Sequence, residues 1–242
     1  FAADRRELGV ERLRVGDRLV GVAGQRQLGD DASPPRGGKQ REQQLAARRA
    51  VQRHVRAGLQ RHAQRPLGLD AVEAEAGLNL VLVARSQAPL QQLADELTAK
   101  HGIAVRVVPA DLAQAAAVED LVAETNALDI GLLVASAGFG TSGCFLEMTP
   151  ADELNMLNVN CRALLLLSWH FGRRFAQRGR GGLVLMSSIV GFQGVPNAAH
   201  YAATNAYVQS LAEALAVELK PHGVDVLAAA PGPTTSGFAQ RV

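Results

Sequence analysis

Aromatic side chains are scarce in this chain, and between Phe1 and Phe139 there are none. That first half therefore has no stacking platform for nucleic-acid bases, and no recognised nucleic-acid motif replaces it. Cysteine is almost as rare. Cys144 and Cys161 are the only two, too far apart for redox or metal-ligand spacing, which excludes a disulfide scaffold and a zinc site. Two isolated thiols fit a reduced, cytoplasmic protein, and no metal is expected. Long apolar runs are missing too. The stretch from Ala163 to Trp169 is far shorter than the ~20 residues a membrane helix needs, so no membrane partner is expected. Asp4, Arg5, Arg6 and Glu7 stand where a secretory leader would begin its apolar region.

What is present divides into two unlike parts. Residues 1–76 hold 15 Lys and Arg against 10 Asp and Glu, and residues 77–242 hold 10 against 13. A basic segment can serve nucleic acid, but mixed Arg, Gln and Glu with few apolar positions reads more simply as solvated sequence, and no nucleic-acid partner is expected. Residues 39–64 contain good helix formers without the apolar stripe that would seat a helix on a core.

From Gly77 the texture changes to alternating strands and helices. Asn79–Ala84, Val105–Val108, Ile130–Ala135, Leu183–Ser187 and Val224–Ala229 are short apolar runs of the kind buried on both faces of a sheet. Between them lie helical patterns: one with Leu90, Leu93, Ala94 and Leu97 on one side, one over 115–127, one over about 151–178, and one from near His200 to the stop at Pro221–Gly223. This order predicts an α/β fold with a doubly wound parallel sheet. Ligands of such sheets sit at the carboxyl ends of the strands.

The residues at those ends form an ordered set. Arg85 follows the first strand and Asp111-Leu112 the second; Ser136-Ala137-Gly138 follow the third. Asn160 lies in the long helix. Ser188 closes the fourth strand, Tyr201 stands thirteen residues later, and Pro231-Gly232-Pro233-Thr234-Thr235 follow the fifth. Together these resemble the short-chain dehydrogenase/reductase family, of the classical single-domain kind, over about two-thirds of the chain. The resemblance implies a Rossmann-like fold and an oxidoreductase that moves a hydride between a nicotinamide cofactor and a small carbonyl or alcohol substrate. It implies that Tyr201 is the proton donor, that Ser188 holds the substrate oxygen and that Asn160 fixes a relay water. Asp111, Leu112, Ser136, Ala137 and Gly138 would meet the adenosine half of the cofactor, and Pro231, Gly232, Thr234 and Thr235 its nicotinamide and pyrophosphate. Arg85 bears on cofactor choice. An acid near this strand end would accept from the 2′-hydroxyl of NAD, whereas an arginine accommodates a 2′-phosphate. No carboxylate lies between Gly77 and Asp95, so NADP is expected ahead of NAD. A complete fold would be expected to form a homo-oligomer.

Three departures stand against the family pattern. The family places lysine four residues after its tyrosine, to lower the phenol pKa and hold the nicotinamide ribose; this chain has Asn205 there. Asparagine can still hydrogen-bond a ribose but brings no charge, which leaves a non-catalytic cofactor- or partner-binding relative as the alternative reading. The family's opening strand and glycine-rich turn should fall near residues 59–66, a stretch without glycine. The nearest substitute, Leu19–Gly24 with Gly29 beyond, lies too far from the next strand for the usual βαβ unit. Loss of the central strand would split the sheet and leave edges unpaired. Third, the chain ends before the family's substrate-covering helix and last strand. The expectation is an incomplete Rossmann-like core over residues 77–242, preceded by an Arg- and Gln-rich segment, residues 1–76, to which no structure is assigned, as in a fragment or a misframed gene model.

Overall fold

The structure, a computed structural model, describes residues 73–74 and 77–232 in full, together with the backbone of two short strands, β1 (Arg12–Leu13) and β2 (Leu19–Ala23). Pro233, Thr234, Thr235 and the stretch 59–66 lie outside the described residues. After β2 the order is β3 (Asn79–Ala84), α1 (Gln87–His101), β4 (Val105–Pro109), α2 (Ala115–Glu124), β5 (Ile130–Ala135) and β6 (Gly140–Thr141). Then come α3 (Pro150–Leu157), α4 (Leu164–Gln177), β7 (Gly181–Met186), α5 (Ala199–Glu218) and β8 (Val224–Ala229).

Apolar residues on both faces of each strand require a layer on each side of the sheet, and two cores result. On one face Val81, Val83, Leu133, Leu183 and Leu185 meet Val118 and Leu121 of α2, Leu164, Leu167, Phe171 and Phe175 of α4, and Val208 and Ala212 of α5. On the other, Leu80, Leu82, Val134 and Val184 meet Leu90, Ala94 and Leu97 of α1. Strand positions alternate between the clusters with period two, and helix positions recur every three or four residues. Burying one such leucine contributes ~1.5–3 kcal/mol. The helix ends follow local chemistry. Thr149 caps α3, its hydroxyl accepting from the Asp152 N–H, with Pro150 in the first turn. Gly223, at φ 75°, ends the short turn after α5 and lets the chain enter β8.

Six strands form the main sheet in the order β4-β3-β2-β5-β7-β8. The β3–β4, β5–β7 and β7–β8 pairs are parallel, as a βαβ chain demands. The expected gap between β3 and β5 does not appear, because β2 fills it and the sheet is not split. Its direction is reversed: Leu19 pairs with Val83 and Ala23 with Asn79, while Val20 pairs with Val134 and Ala23 with Ile130. Ala23 thus lies at the amino end of its parallel neighbours. Of the glycine-bearing substitute, Leu19–Ala23 supplies a strand that ends away from the ligand edge of the sheet, while Gly24 and Gly29 lie outside the described residues. Strand β1 pairs separately with β6, Arg12 opposite Thr141 and Leu13 opposite Gly140.

The long helix expected over 151–178 is α3 and α4 joined by a π turn at Asn158–Ala163. A π turn inserts one residue into the helical ladder and re-aims side chains, and it recurs at functional positions. This one carries Asn160.

Candidate active site

The first turn of α5 presents Tyr201, only 9% exposed, and one turn later Asn205, 6% exposed. The loop leaving β7 is bound to this helix. The buried Ser187 hydroxyl donates to the Asn205 carbonyl at 2.9 Å, and its backbone N–H donates to Ala229 O at 2.7 Å. Ser188 follows in extended conformation and caps the 3-10 turn Ile189–Phe192. Within that turn a Cβ on Gly191 would stand 2.9 Å from the Asn205 carbonyl carbon, so the close approach of loop to helix requires glycine. The Ile189 N–H donates to Pro231 O at 3.1 Å, which ties the end of β8 to the same loop.

Asn160 acts as a clamp. Its Nδ2 donates to Phe139 O at 2.8 Å and to the Thr204 hydroxyl at 3.2 Å, and its Oδ1 accepts from the Phe139 N–H at 3.1 Å. Both polar groups of the Phe139 peptide are satisfied by one amide. This fixes the path of Ser136–Gly140, and a Cβ on Gly140 would lie 3.1 Å from the Tyr201 ring. The Asn160 side chain, expected to fix a relay water, is held by Phe139 and Thr204 with one Oδ1 lone pair left over. Asn205 is also more committed than expected, since its Nδ2 donates to the Tyr201 carbonyl at 2.8 Å. Thr204 donates to the same carbonyl at 2.8 Å.

Burial raises the Tyr201 phenol above the ordinary tyrosine value; hydrogen bonding to the side chains of Ser188 and Asn205 pulls the other way without cancelling it. The uncharged form is thus favoured, which suits a proton donor and disfavours a base. Burial likewise raises Cys161 to about 11, consistent with an unreactive structural thiol. Among the described residues no cluster of His, Cys, Asp and Glu could hold a metal ion.

A cleft runs between the loop after β5 and α5, lined by Ser136, Ala137, Gly138, Phe139, Asn160, Met186, Ser187, Tyr201, Thr204, Asn205 and Val208. Arg85 and Asp111 are exposed at the adjacent carboxyl ends of β3 and β4. Asp111 Oδ1 accepts from the Ala113 N–H, and the Leu112 side chain belongs to the core, leaving only its backbone for a ligand. A Cβ on Gly138 would stand 3.1 Å from Asn160 Oδ1, so that loop stays bare toward the cleft. These residues fit the two ends of a nicotinamide dinucleotide. Its pyrophosphate is less well served, because the central position holds β2 running the opposite way instead of a strand leading into a helix N-terminus.

The structure brings Asn160, Ser188, Tyr201, Asn205 and Ser136–Gly138 together, and sets Arg85, Asp111, Pro231 and Gly232 along the same sheet edge. Sequence reasoning missed Ser187, Gly140, Gly191 and Thr204. The doubled serine and the glycines flanking Phe139 and Phe192 were available as signals, but close approach of two backbones leaves no mark until the partner element is known.

The family model described as short chain dehydrogenase matches residues 63–242. The 7beta-hydroxysteroid dehydrogenase of Clostridium sardiniense is 32% identical over 161 residues, covering 66% of this chain and 62% of that protein. A very-long-chain 3-oxoacyl-CoA reductase of Aspergillus clavatus is 32% identical over 157 residues, 63% of this chain and 46% of that protein. The chain thus spans less than two-thirds of these relatives' length. Among solved structures, a bulky-bulky ketone specific alcohol dehydrogenase from Comamonas testosteroni aligns at a TM-score of 0.65 with 33% identity, covering 67% of this chain and 65% of that one. A short-chain dehydrogenase from Sphingobium yanoikuyae, solved with NADPH, aligns at 0.64 with 35% identity, covering 66% and 63%.

Proposed function

The chain belongs to the short-chain dehydrogenase family, and from that premise we propose that it is an oxidoreductase transferring a hydride between NADP(H) and a carbonyl or alcohol substrate. The observation that carries this reading is the buried Tyr201 phenol at the carboxyl edge of the sheet, on the helix against which the loop bearing Ser188 packs, with burial raising its pKa. When bound, the nicotinamide supplies the hydride. The chain's own residues handle the oxygen. Ser188 donates a hydrogen bond to it, and Tyr201 gives its proton to the developing alkoxide and is reprotonated from solvent. Asn160 holds the Phe139 loop, and through Gly140 the Tyr201 ring, in register.

Arg85, Asp111 and Ser136–Gly138 would hold the adenosine end, and Tyr201, Asn205 and Pro231–Gly232 the nicotinamide end. The preference for NADP rests on exposed Arg85 and on the absence of a carboxylate between Gly77 and Asp95. The solved relative from Sphingobium yanoikuyae holds NADPH. The same reading includes a cytoplasmic homo-oligomer, supported by two unpaired cysteines and by exposed Leu154, Leu165 and Trp169 along α3 and α4.

A second reading, a cofactor- or partner-binding relative without turnover, is favoured by the uncharged Asn205 in the place of the family's lysine, its Nδ2 donating to the Tyr201 carbonyl, and by the reversed β2. NADPH oxidation with a panel of ketones, run beside calorimetric titration of NADPH, separates the two. Turnover abolished by Tyr201→Phe supports the first reading. NADPH binding without turnover supports the second, and turnover surviving Tyr201→Phe rejects Tyr201 as the acid.

A further inference from the structure

Two loops beyond the carboxyl ends of the strands border the Ser188–Tyr201 pair. One runs from β6 to α3 and carries the 3-10 turn Phe145–Glu147; the other runs from β7 to α5 and carries Ile189–Phe192. A hydrogen bond from the Gly143 N–H to Asn197 O, 2.8 Å, joins them into one rim. That rim is apolar and exposed. Phe145 is 64% exposed, Leu146 89%, Ile189 54% and Phe192 63%. Ile189 directly follows Ser188, and the turn holding Phe192 packs through Gly191 on the Asn205 backbone, so the apolar residues are anchored to the reacting groups. The rim also lacks charge. Residues 136–149 contain one ionisable carboxylate, Glu147, and residues 187–199 contain no Asp, Glu, Lys or Arg. The imidazole of α5, His200 Nδ1, lies 2.7 Å from Glu153 Oε2.

We propose that this site takes a bulky, uncharged, apolar ketone or secondary alcohol, and that Ile189 and Phe192 determine that preference. A keto acid, sugar acid or phosphorylated substrate is best held by a cation near the reacting carbon, and residues 136–149 and 187–199 of the rim hold no Lys or Arg. A polycyclic or branched hydrocarbon flanking the carbonyl would instead cover side chains otherwise left in water, and exposed apolar surface beside a polar catalytic pair is the usual composition of a small-molecule pocket. This inference rests on the hydride-transfer reading for the reaction but not for the binding.

The test therefore reads binding first and turnover second. Saturation-transfer NMR on the full chain would use trans-1-decalone as the apolar probe and 5-ketogluconate as the anionic one. The expected result is transfer to decalone alone, with at least a tenfold weaker Kd in Ile189→Asp and Phe192→Asp and retention in Phe192→Leu. Circular dichroism of each variant verifies its fold. Tighter binding of 5-ketogluconate, no binding of decalone by the wild-type chain, or decalone affinity indifferent to folded Asp variants overturns the proposal. Decalone bound as expected but not reduced with NADPH leaves the substrate class standing and removes the hydride-transfer reading.

Discussion

Replacing Asn205 with lysine tests what a cation would do beside the phenol. The site has two opposed influences on Tyr201: burial raises its pKa, and hydrogen bonding to Ser188 and Asn205 lowers it by less. An ammonium group about 4 Å from the phenolate oxygen would contribute about 4 kcal/mol at an effective dielectric of 20. Much of that is offset by desolvating the lysine, since position 205 is 6% exposed and removing an ammonium from water costs several kcal/mol. A net ~1.5–3 kcal/mol remains, which is a fall of ~1–2 pKa units at 1.36 kcal/mol per unit. The sign is fixed by charge: the cation favours phenolate, so the pKa falls. In the reduction direction the competent form is protonated, so the descending alkaline limb moves to lower pH; in the oxidation direction the rise begins at lower pH. The chain has only two tyrosines, so a Tyr207→Phe background leaves Tyr201 as the single phenol. Its ultraviolet phenolate absorbance can then be titrated without any turnover. The expected midpoint lies above the ordinary tyrosine range with Asn205 and ~1–2 units lower with lysine. An unchanged or higher midpoint in a folded variant would refute the reasoning, because it would mean the side chain at 205 does not face the phenol.

Other perturbations address separate parts of the site. Arg85→Ala should weaken NADPH binding by ~1–3 kcal/mol, the size of a charge-assisted phosphate contact, while NADH affinity stays level; calorimetry showing equal losses would refute the 2′-phosphate role. Asn160→Ala leaves the Phe139 N–H and C=O without their partner, and denaturant unfolding should show a loss of ~2–4 kcal/mol for two unmet groups. A variant as stable as the parent would mean water replaces the clamp. Cys161 has a folded pKa of about 11 against an ordinary 9.0, so its contribution is complete below pH 9 and is lost as pH rises toward 11. Thermal melts of Cys161→Ala across that window should decline less steeply than the parent, and identical slopes would show that another group titrates there.

Much of the fold was legible because burial on two faces leaves a mark in sequence. Asn79–Ala84 read as a doubly buried strand, and Leu80 through Ala84 are buried; Leu90, Ala94 and Leu97 read as one helix face and pack as one. The stop at Pro221–Gly223 follows from proline geometry and a left-handed glycine. Strand direction was not legible. An apolar run such as Leu19–Ala23 pairs equally well either way up, since alternation of side chains has no polarity along the chain. The π turn at Asn158–Ala163 was hidden for a similar reason, as one extra residue in a helix barely disturbs the spacing of Met156, Leu164 and Leu167. At the site, residue identities and spacings suggested which groups gather, but the commitments of Asn160 to Phe139 and of Asn205 to Tyr201 O depend on neighbours more than twenty residues away in one case and on a rotamer in the other.

The reversed central strand divides the molecule's folding in a way its parallel neighbours do not. Pairs β3–β4, β5–β7 and β7–β8 each close through one crossover containing a helix, α1, the continuous α3–α4 helix or α5, so their contacts are comparatively near in sequence. Strand β2 belongs to none of them. It pairs with β3 across ~55 residues of sequence and with β5 across a still longer separation, so its contacts are far less local than those of its parallel neighbours. Its backbone bonds are the described ladder that joins the two parallel ribbons. Native-state amide exchange should then resolve two protected blocks, residues 79–109 and 130–229, with the β2 seam opening below the global unfolding energy. The sheet that carries the site is thus two parallel ribbons whose backbones meet only through the least local strand among the described residues.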